Sequence, residues 1–166
     1  DDSQIVFSDT PGVLKPNYKM QEMMLQFSES ALADADTLLY VTDVVEDPEK
    51  NMEFLEKVRT MTIPVIVLIN KIDELATTDA PKKGAPTPTQ RLGALVEKWS
   101  KLLPNAEILP ISAKNKFGID MLMKRIRELL PESPAYFDKD QLTDKPAKFF
   151  VSEIIREKIL RYYDKE

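Results

Sequence analysis

The run Val65-Ile-Val-Leu-Ile69, opened by Pro64 and closed by Asn70, constrains the fold more than any other stretch of this chain. Its side chains are aliphatic and mostly β-branched, so extended backbone suits them. None of them offers a polar face to water. A strand that is apolar on both sides has to be covered on both sides, which is the situation of an inner strand in a parallel sheet flanked by helices.

The rest of the chain keeps the same rhythm. Gln4–Phe7 reads as a short strand, and Met20, Met23, Met24, Phe27 and Ala31 follow at helical spacing. Thr37–Asp43 is a second mostly apolar strand. Asp47-Pro48-Glu49 then has the form of a helix start, with a capping acid, proline at the first position and an acid in the first turn. Residues 77–89, rich in Pro and Thr, read as an exposed loop. Leu92, Leu95, Val96, Trp99, Leu102 and Leu103 mark an amphipathic helix with Trp99 on its buried side. Glu107–Ile111 is another strand, and Ile119, Leu122, Met123, Ile126, Leu129 and Leu130 line a further helix. Strands separated by helices imply βαβ units and an α/β, doubly wound parallel sheet. Beyond Leu130 the texture changes: residues 131–145 read as a linker, and Val151, Ile154, Ile155, Ile159 and Tyr162 restore a helical stripe before Glu166. One helix cannot bury its own apolar face, so residues 146–166 are expected to begin a second domain.

Composition narrows the chemistry. The 166 residues include no cysteine and no histidine. Disulfides, Cys/His zinc sites, thiol nucleophiles and histidine bases are thereby excluded within this sequence. The formal charge of −5 argues against a chain devoted to gripping nucleic acid. No apolar run approaches the ~18 residues a membrane span needs. The first residues carry neither basic charge nor an apolar segment, so a cytoplasmic protein is expected.

Three short motifs carry the functional signal, each just past the end of its own strand, where a doubly wound sheet holds its ligand. Asp9-Thr10-Pro11-Gly12 can offer a carboxylate to magnesium, directly or through water, and a Gly12 N–H to a phosphate oxygen. Asn70-Lys71-Ile72-Asp73 places a carboxylate where it can accept both N–H groups on the edge of guanine. A site built on such a polar pair rejects a base lacking those donors by ~10⁴-fold. The stem of Lys71 can lie along the base, and Asn70 can tie neighbouring loops together. Ser112-Ala113-Lys114 supplies small residues and an Ala113 N–H that can reach the base carbonyl. Each motif alone is an ordinary polar loop after a strand; all three in this order, with helices between, point to GTP.

At these residues the chain resembles a family. Asp9–Gly12, Asn70–Asp73 and Ser112–Lys114 are similar to the third, fourth and fifth signature motifs of the translation-factor-related GTPases. Ser8–Pro16, with Leu14 where histidine is usual, resembles the Era family more closely still, as do Asp140–Pro146 and Glu153–Lys158. The resemblance implies a P-loop-NTPase-like G domain over 1–130 and the first helix of a KH-type RNA-binding domain over 146–166. It implies GTP/GDP and Mg²⁺ as ligands, bound by Asp9, Thr10, Pro11, Gly12, Val13, Asn70, Lys71, Ile72, Asp73, Ser112, Ala113 and Lys114, with Asp9 at the metal. The implied partners are 16S rRNA and the 30S subunit precursor, in the cytoplasm with peripheral association at the inner membrane. Val13 stands where other GTPases carry the glutamine that orients the attacking water, so slow intrinsic hydrolysis is implied.

Two departures qualify that picture. The glycines are Gly12, Gly84, Gly93 and Gly118, and none of them forms the phosphate loop G-x-x-x-x-G-K-S/T or the G-x-x-G loop of a KH domain. The chain thus reads as a fragment, inactive by itself, whose missing first strand would lie between Gln4–Phe7 and Thr37–Asp43. A rearranged sheet edge or a dimer is expected there. Two alternatives stay open: a nucleotide-free interaction module, and a phospho-receiver domain built on Asp1, Asp2, Asp43, Ser112 and Lys114.

Overall fold

A computed structural model of the chain describes residues 3–10, 34–76, 85–138 and 145–163. The chain divides into two units, Ile5–Glu132 and a second made of Asp1–Gln4 with Ser133–Glu166.

In the larger unit the order is β1 (Leu38–Asp43), α1 (Met52–Arg59), β2 (Val65–Asn70), a 3₁₀ turn (Ile72–Ala76), α2 (Pro88–Leu102), β3 (Glu107–Pro110) and α3 (Ile119–Leu129). The three strands form one sheet in the order β1-β2-β3. Both pairings are parallel, with Leu38 opposite Val65 and Ile66 opposite Glu107. The apolar run Val65–Ile69 forms the central strand.

Alternation along β2 divides the core into two layers. Val65, Val67 and Ile69 pack with Leu55 and Val58 of α1 and with Trp99 and Leu103 at the end of α2. Ile66 and Leu68 turn to the other side and pack with Leu109, Ile111 and with Leu122 and Ile126 of α3. Every side chain from Val65 to Ile69 is buried. Helices on both faces of a parallel sheet make this the α/β, doubly wound architecture that the sequence predicted. Tyr40 of β1 adds an aromatic contact to the first layer, its ring 5.2 Å from that of Trp99.

Three expectations change. Gln4–Phe7 forms no strand: only Ile5 packs against a core layer, while Val6 and Phe7 are exposed. A strand exists through its ladder, and among the described residues the outer edge of β1 has no partner. Asp47 does not start a helix. Its carboxylate accepts from the Glu49 N–H and its carbonyl from the Lys50 N–H, which closes a turn, and α1 begins only at Met52. The exposed-loop reading of 77–89 overran its boundary, because Thr87 caps α2. Its hydroxyl accepts from the Gln90 N–H, the Gln90 side chain accepts from the Thr87 N–H, and Pro88 occupies the first turn. The helix expected around Met20–Ala31 and residues 77–84 lie outside the described residues.

In the smaller unit, Gln4 makes two bonds with the backbone of Phe137, donating from Nε2 at 3.0 Å and accepting at Oε1 at 2.8 Å. The unit's helix, α4, runs Ala147–Tyr162 and leaves Phe149, Phe150, Val151, Ile154, Ile155 and Ile159 exposed. Among the described residues no helix is long and apolar enough to cross a membrane.

Candidate guanine-recognition site

Parallel pairing of β2 and β3 brings the segments that follow them to one edge of the sheet. Ile69 lies opposite Pro110, and beyond the strands the Ile111 N–H still donates to the Ile69 carbonyl at 2.9 Å. The Ile72 N–H then donates to the Ile111 carbonyl at 3.3 Å. Asn70–Asp73 and Ser112–Lys114 are therefore zipped together by backbone before any side chain acts.

Two side-chain bonds complete the junction. Asn70 Oδ1 accepts from the Ala113 N–H at 3.0 Å, so Asn70 ties the two loops to each other. Ser112 Oγ donates to Asp73 Oδ1 at 2.5 Å and accepts from the Asn115 N–H at 3.2 Å. Ser112 is 1% exposed, so its hydroxyl has a fixed place rather than a choice of rotamers. The hydroxyl is the main cause holding the Asp73 carboxyl below the usual carboxylate range, helped by its own N–H and by the charge of Lys114, against partial burial. A carboxylate has two oxygens and about four lone-pair sites. Asp73 thus stays ionised and keeps acceptor capacity beyond the oxygen that Ser112 uses.

Lys71 has φ of +62°. That left-handed state is uncommon for a residue with a Cβ and clusters at functional turns. Here it bends the chain sharply out of β2, and the turn closes with the Glu74 N–H donating to the Lys71 carbonyl at 2.9 Å. The Lys71 ammonium lies 2.7 Å from Asp43 Oδ2 at the end of β1. The other oxygen of Asp43 accepts from the N–H groups of Val45 at 2.9 Å and Glu46 at 2.8 Å. Lys71 is the main cause lowering the Asp43 carboxyl, and Asp43 in turn raises the Lys71 ammonium.

The loop after β3 is itself closed. Ser112 and Phe117 exchange both backbone hydrogen bonds, at 3.1 and 3.0 Å, as an isolated antiparallel bridge. Gly118 follows at φ +77° and caps α3. A Cβ there would stand 3.1 Å from both the Pro110 carbonyl oxygen and Ile111 Cγ2, so glycine is what lets the loop sit on the end of β3.

The structure brings Asn70, Lys71, Ile72, Asp73, Ser112, Ala113 and Lys114 into one corner of the sheet. Asp9 and Thr10 are exposed, and Pro11, Gly12 and Val13 lie outside the described residues. Among the described residues no three carboxylates gather in a way that could hold a metal. Asp9 would therefore contribute a single ligand, which suits Mg²⁺ only where phosphate oxygens and water fill the remaining positions. A cleft of about 320 Å³ lined by Val44, Val45, Glu74, Leu75, Arg91 and Leu95 flanks the corner without including Asp73. The Ala113 N–H, expected to meet the base carbonyl, is engaged by Asn70. Both oxygens of Asp43 are bonded, Oδ1 to the N–H groups of Val45 and Glu46 and Oδ2 to the Lys71 ammonium.

Asp43 and Gly118 were absent from the sequence-derived site. A signal for the first existed: parallel neighbours end side by side, and Asp43 pairs with Asn70. For Gly118 the signal was its place directly before an apolar helix.

Comparison with known proteins adds the context. Residues 1–132 match the family described as the elongation factor Tu GTP binding domain. GTPase Era of Clostridium kluyveri is 37% identical over 167 residues, which cover 100% of this chain and 53% of that protein. GTPase Era of Clostridium beijerinckii is 39% identical, over 97% of this chain and 50% of that protein. A crystal structure of Era from Aquifex aeolicus, bound to GDP and aluminium fluoride, superimposes with a TM-score of 0.75 at 31% identity. It covers 95% of this chain and 50% of that one. The chain spans about half the length of the relatives it matches.

Proposed function

The chain belongs to the elongation factor Tu GTP-binding domain family, and from that membership together with its likeness to GTPase Era we propose that it carries the guanine-recognising part of a GTP-hydrolysing protein that acts in assembly of the 30S ribosomal subunit. The observation that carries the reading is the double tie between the two loops, Asn70 to Ala113 and Ser112 to Asp73. It fixes an ionised carboxylate at the sheet edge, aimed by a buried hydroxyl. Guanine presents two adjacent N–H donors to such a group and adenine does not, so the site selects by stranding its own charge when the wrong base enters.

On this reading Asp73 accepts from the base, the Lys71 stem covers one of its faces, and Asn70, Ile72, Ser112, Ala113 and Lys114 hold the walls. Asp9, Thr10, Pro11, Gly12 and Val13 meet the terminal phosphate and its Mg²⁺, which when bound neutralises charge on the phosphate oxygens. Hydrolysis belongs to the longer protein: these 166 residues contain no phosphate-loop motif, and the isolated chain turns over no GTP. Residues 131–145 act as the linker and 146–166 begin a KH-type RNA-binding domain, whose targets are 16S rRNA and the 30S precursor. The protein works in the cytoplasm with peripheral contact at the inner membrane. Among the described residues the outer edge of β1 has no partner, which makes self-association of the isolated chain part of the reading.

A second reading, a nucleotide-free interaction module, draws on the Ala113 N–H being already engaged. One titration separates the two. Fluorescent GDP binding that GTP displaces and ATP does not is the expected result. No binding, or equal displacement by both nucleotides, would refute guanine recognition by this chain.

A further inference from the structure

Asp43 lies in none of the three motifs, yet it is the residue on which the Asn70–Asp73 turn leans. It ends β1 opposite Asn70, the residue before the left-handed Lys71. One carboxylate oxygen, Oδ2, takes the Lys71 ammonium at 2.7 Å, while Oδ1 takes the N–H groups of Val45 and Glu46. The carboxylate is thus clamped by its own backbone and cannot follow the lysine. The restraint runs from strand to lysine.

The geometry is economical in anchors. The turn after β2 is tied to the loop after β3 through Asn70 and Asp73, both on one side. Among the described residues, its tie toward β1 by a side chain of the motif is Lys71 to Asp43. Without it, a left-handed residue would be held by side chains of the motif from one side alone.

We propose that Asp43 is a positioning residue of the base site: by holding the Lys71 ammonium it fixes the left-handed turn through which Lys71 and Asp73 meet a guanine nucleotide. The proposal rests on the guanine-binding reading above and extends it to a residue outside the motifs. Asp43 touches no base. It acts through Lys71.

Asp43→Asn isolates the effect. The asparagine oxygen can still accept from Val45 and Glu46, so the turn after β1 survives. Its amide nitrogen then faces the Lys71 ammonium, donor against donor, and the pair is broken rather than weakened. Lys71→Met keeps the apolar stem and removes the ammonium. The lysine is half-exposed and the pair solvent-screened, so the coupling expected is a ~2- to 5-fold rise in the Kd for GDP. Asp43→Asn should give that rise in the original chain and none in the Lys71→Met background. A general structural defect would cost the same in both.

Amide hydrogen exchange on the nucleotide-free chain provides the second arm. Asp43→Asn should speed exchange several-fold at Ile72, whose N–H bonds the Ile111 carbonyl, and at Glu74, whose N–H closes the turn, and leave Val67 and Leu68 of β2 unchanged. A Kd penalty that persists in the Lys71→Met background, or no change at Ile72 and Glu74, overturns the proposal. Should the chain bind no GDP at all, the guanine-binding reading fails, and exchange alone still decides whether Asp43 holds the turn.

Discussion

Gly93 and Gly118 offer one substitution in two backbone states. Gly93 lies inside α2 with helical backbone, and a Cβ added there meets nothing within 4 Å. Alanine at such a site gains the ~0.5–1 kcal/mol that glycine forfeits in a helix interior. Gly118 is left-handed, and its added Cβ would press on a backbone oxygen at 3.1 Å that no rotamer change can move. An L-residue in that state costs ~1–2 kcal/mol before any crowding. Gly93→Ala should therefore stabilise and Gly118→Ala destabilise, with the two variants about 2–3 kcal/mol apart. Trp99 is the only tryptophan, is buried in the Ile5–Glu132 unit, and reports its unfolding by fluorescence. With urea slopes of ~1–3 kcal/mol per molar, the midpoints should separate by about 0.7–3 M. Coincident midpoints, or Gly118→Ala unfolding at the higher urea concentration, would mean that the φ and the close approach assigned to Gly118 are wrong. The loop also aims Ser112, so Gly118→Ala should weaken GDP binding while Gly93→Ala leaves it alone.

Ser112→Ala removes the hydroxyl that is the chief cause of the lowered Asp73 carboxyl. A carboxyl lowered on folding contributes stability that is full above its unfolded value, ~4, and lost as pH falls through the folded value. Without the hydroxyl that loss begins at higher pH, so GDP affinity of the variant should fail earlier as pH is lowered from 7 toward 4; superimposable acid limbs would count against the bond. Thr87→Ala breaks the capping box of α2 and should cost ~1 kcal/mol, read as a lower urea midpoint; an unchanged midpoint would show that Pro88 alone starts the helix.

How much of this was legible beforehand depended on what kind of signal each element carries. β2 declares itself because five adjacent aliphatic residues have only one comfortable environment. α2 and α3 declare themselves through apolar spacing, and Trp99 falls on the buried side as read. Motif order located the corner of the sheet where Asn70, Asp73, Ser112 and Ala113 meet. Gln4–Phe7 was misread because propensity describes a residue and a strand is a relation between two segments. Asp47 was misread for a similar reason: an acid followed by proline opens turns as readily as helices, and the first helical hydrogen bond decides between them. Asp43 was invisible as part of the base site, since its partner stands on a different strand and only the register makes them neighbours. Bonds across a parallel sheet are the ones a linear reading loses first.

That same long reach sets a timetable for the chain's synthesis. Ser112 and Asp73 are 39 residues apart, and Ala113 and Asn70 are 43 apart. As a ribosome extends the chain, β1 and β2 are complete while Ser112 is still unmade, and Asn70–Asp73 has only its Asp43 side to rest on. Among the described residues both strand pairs are parallel and need a crossover, so no local hairpin stands in. A nascent chain should accordingly gain guanine affinity in one step, when β3 and its loop leave the exit tunnel and dock, rather than gradually as the sheet grows.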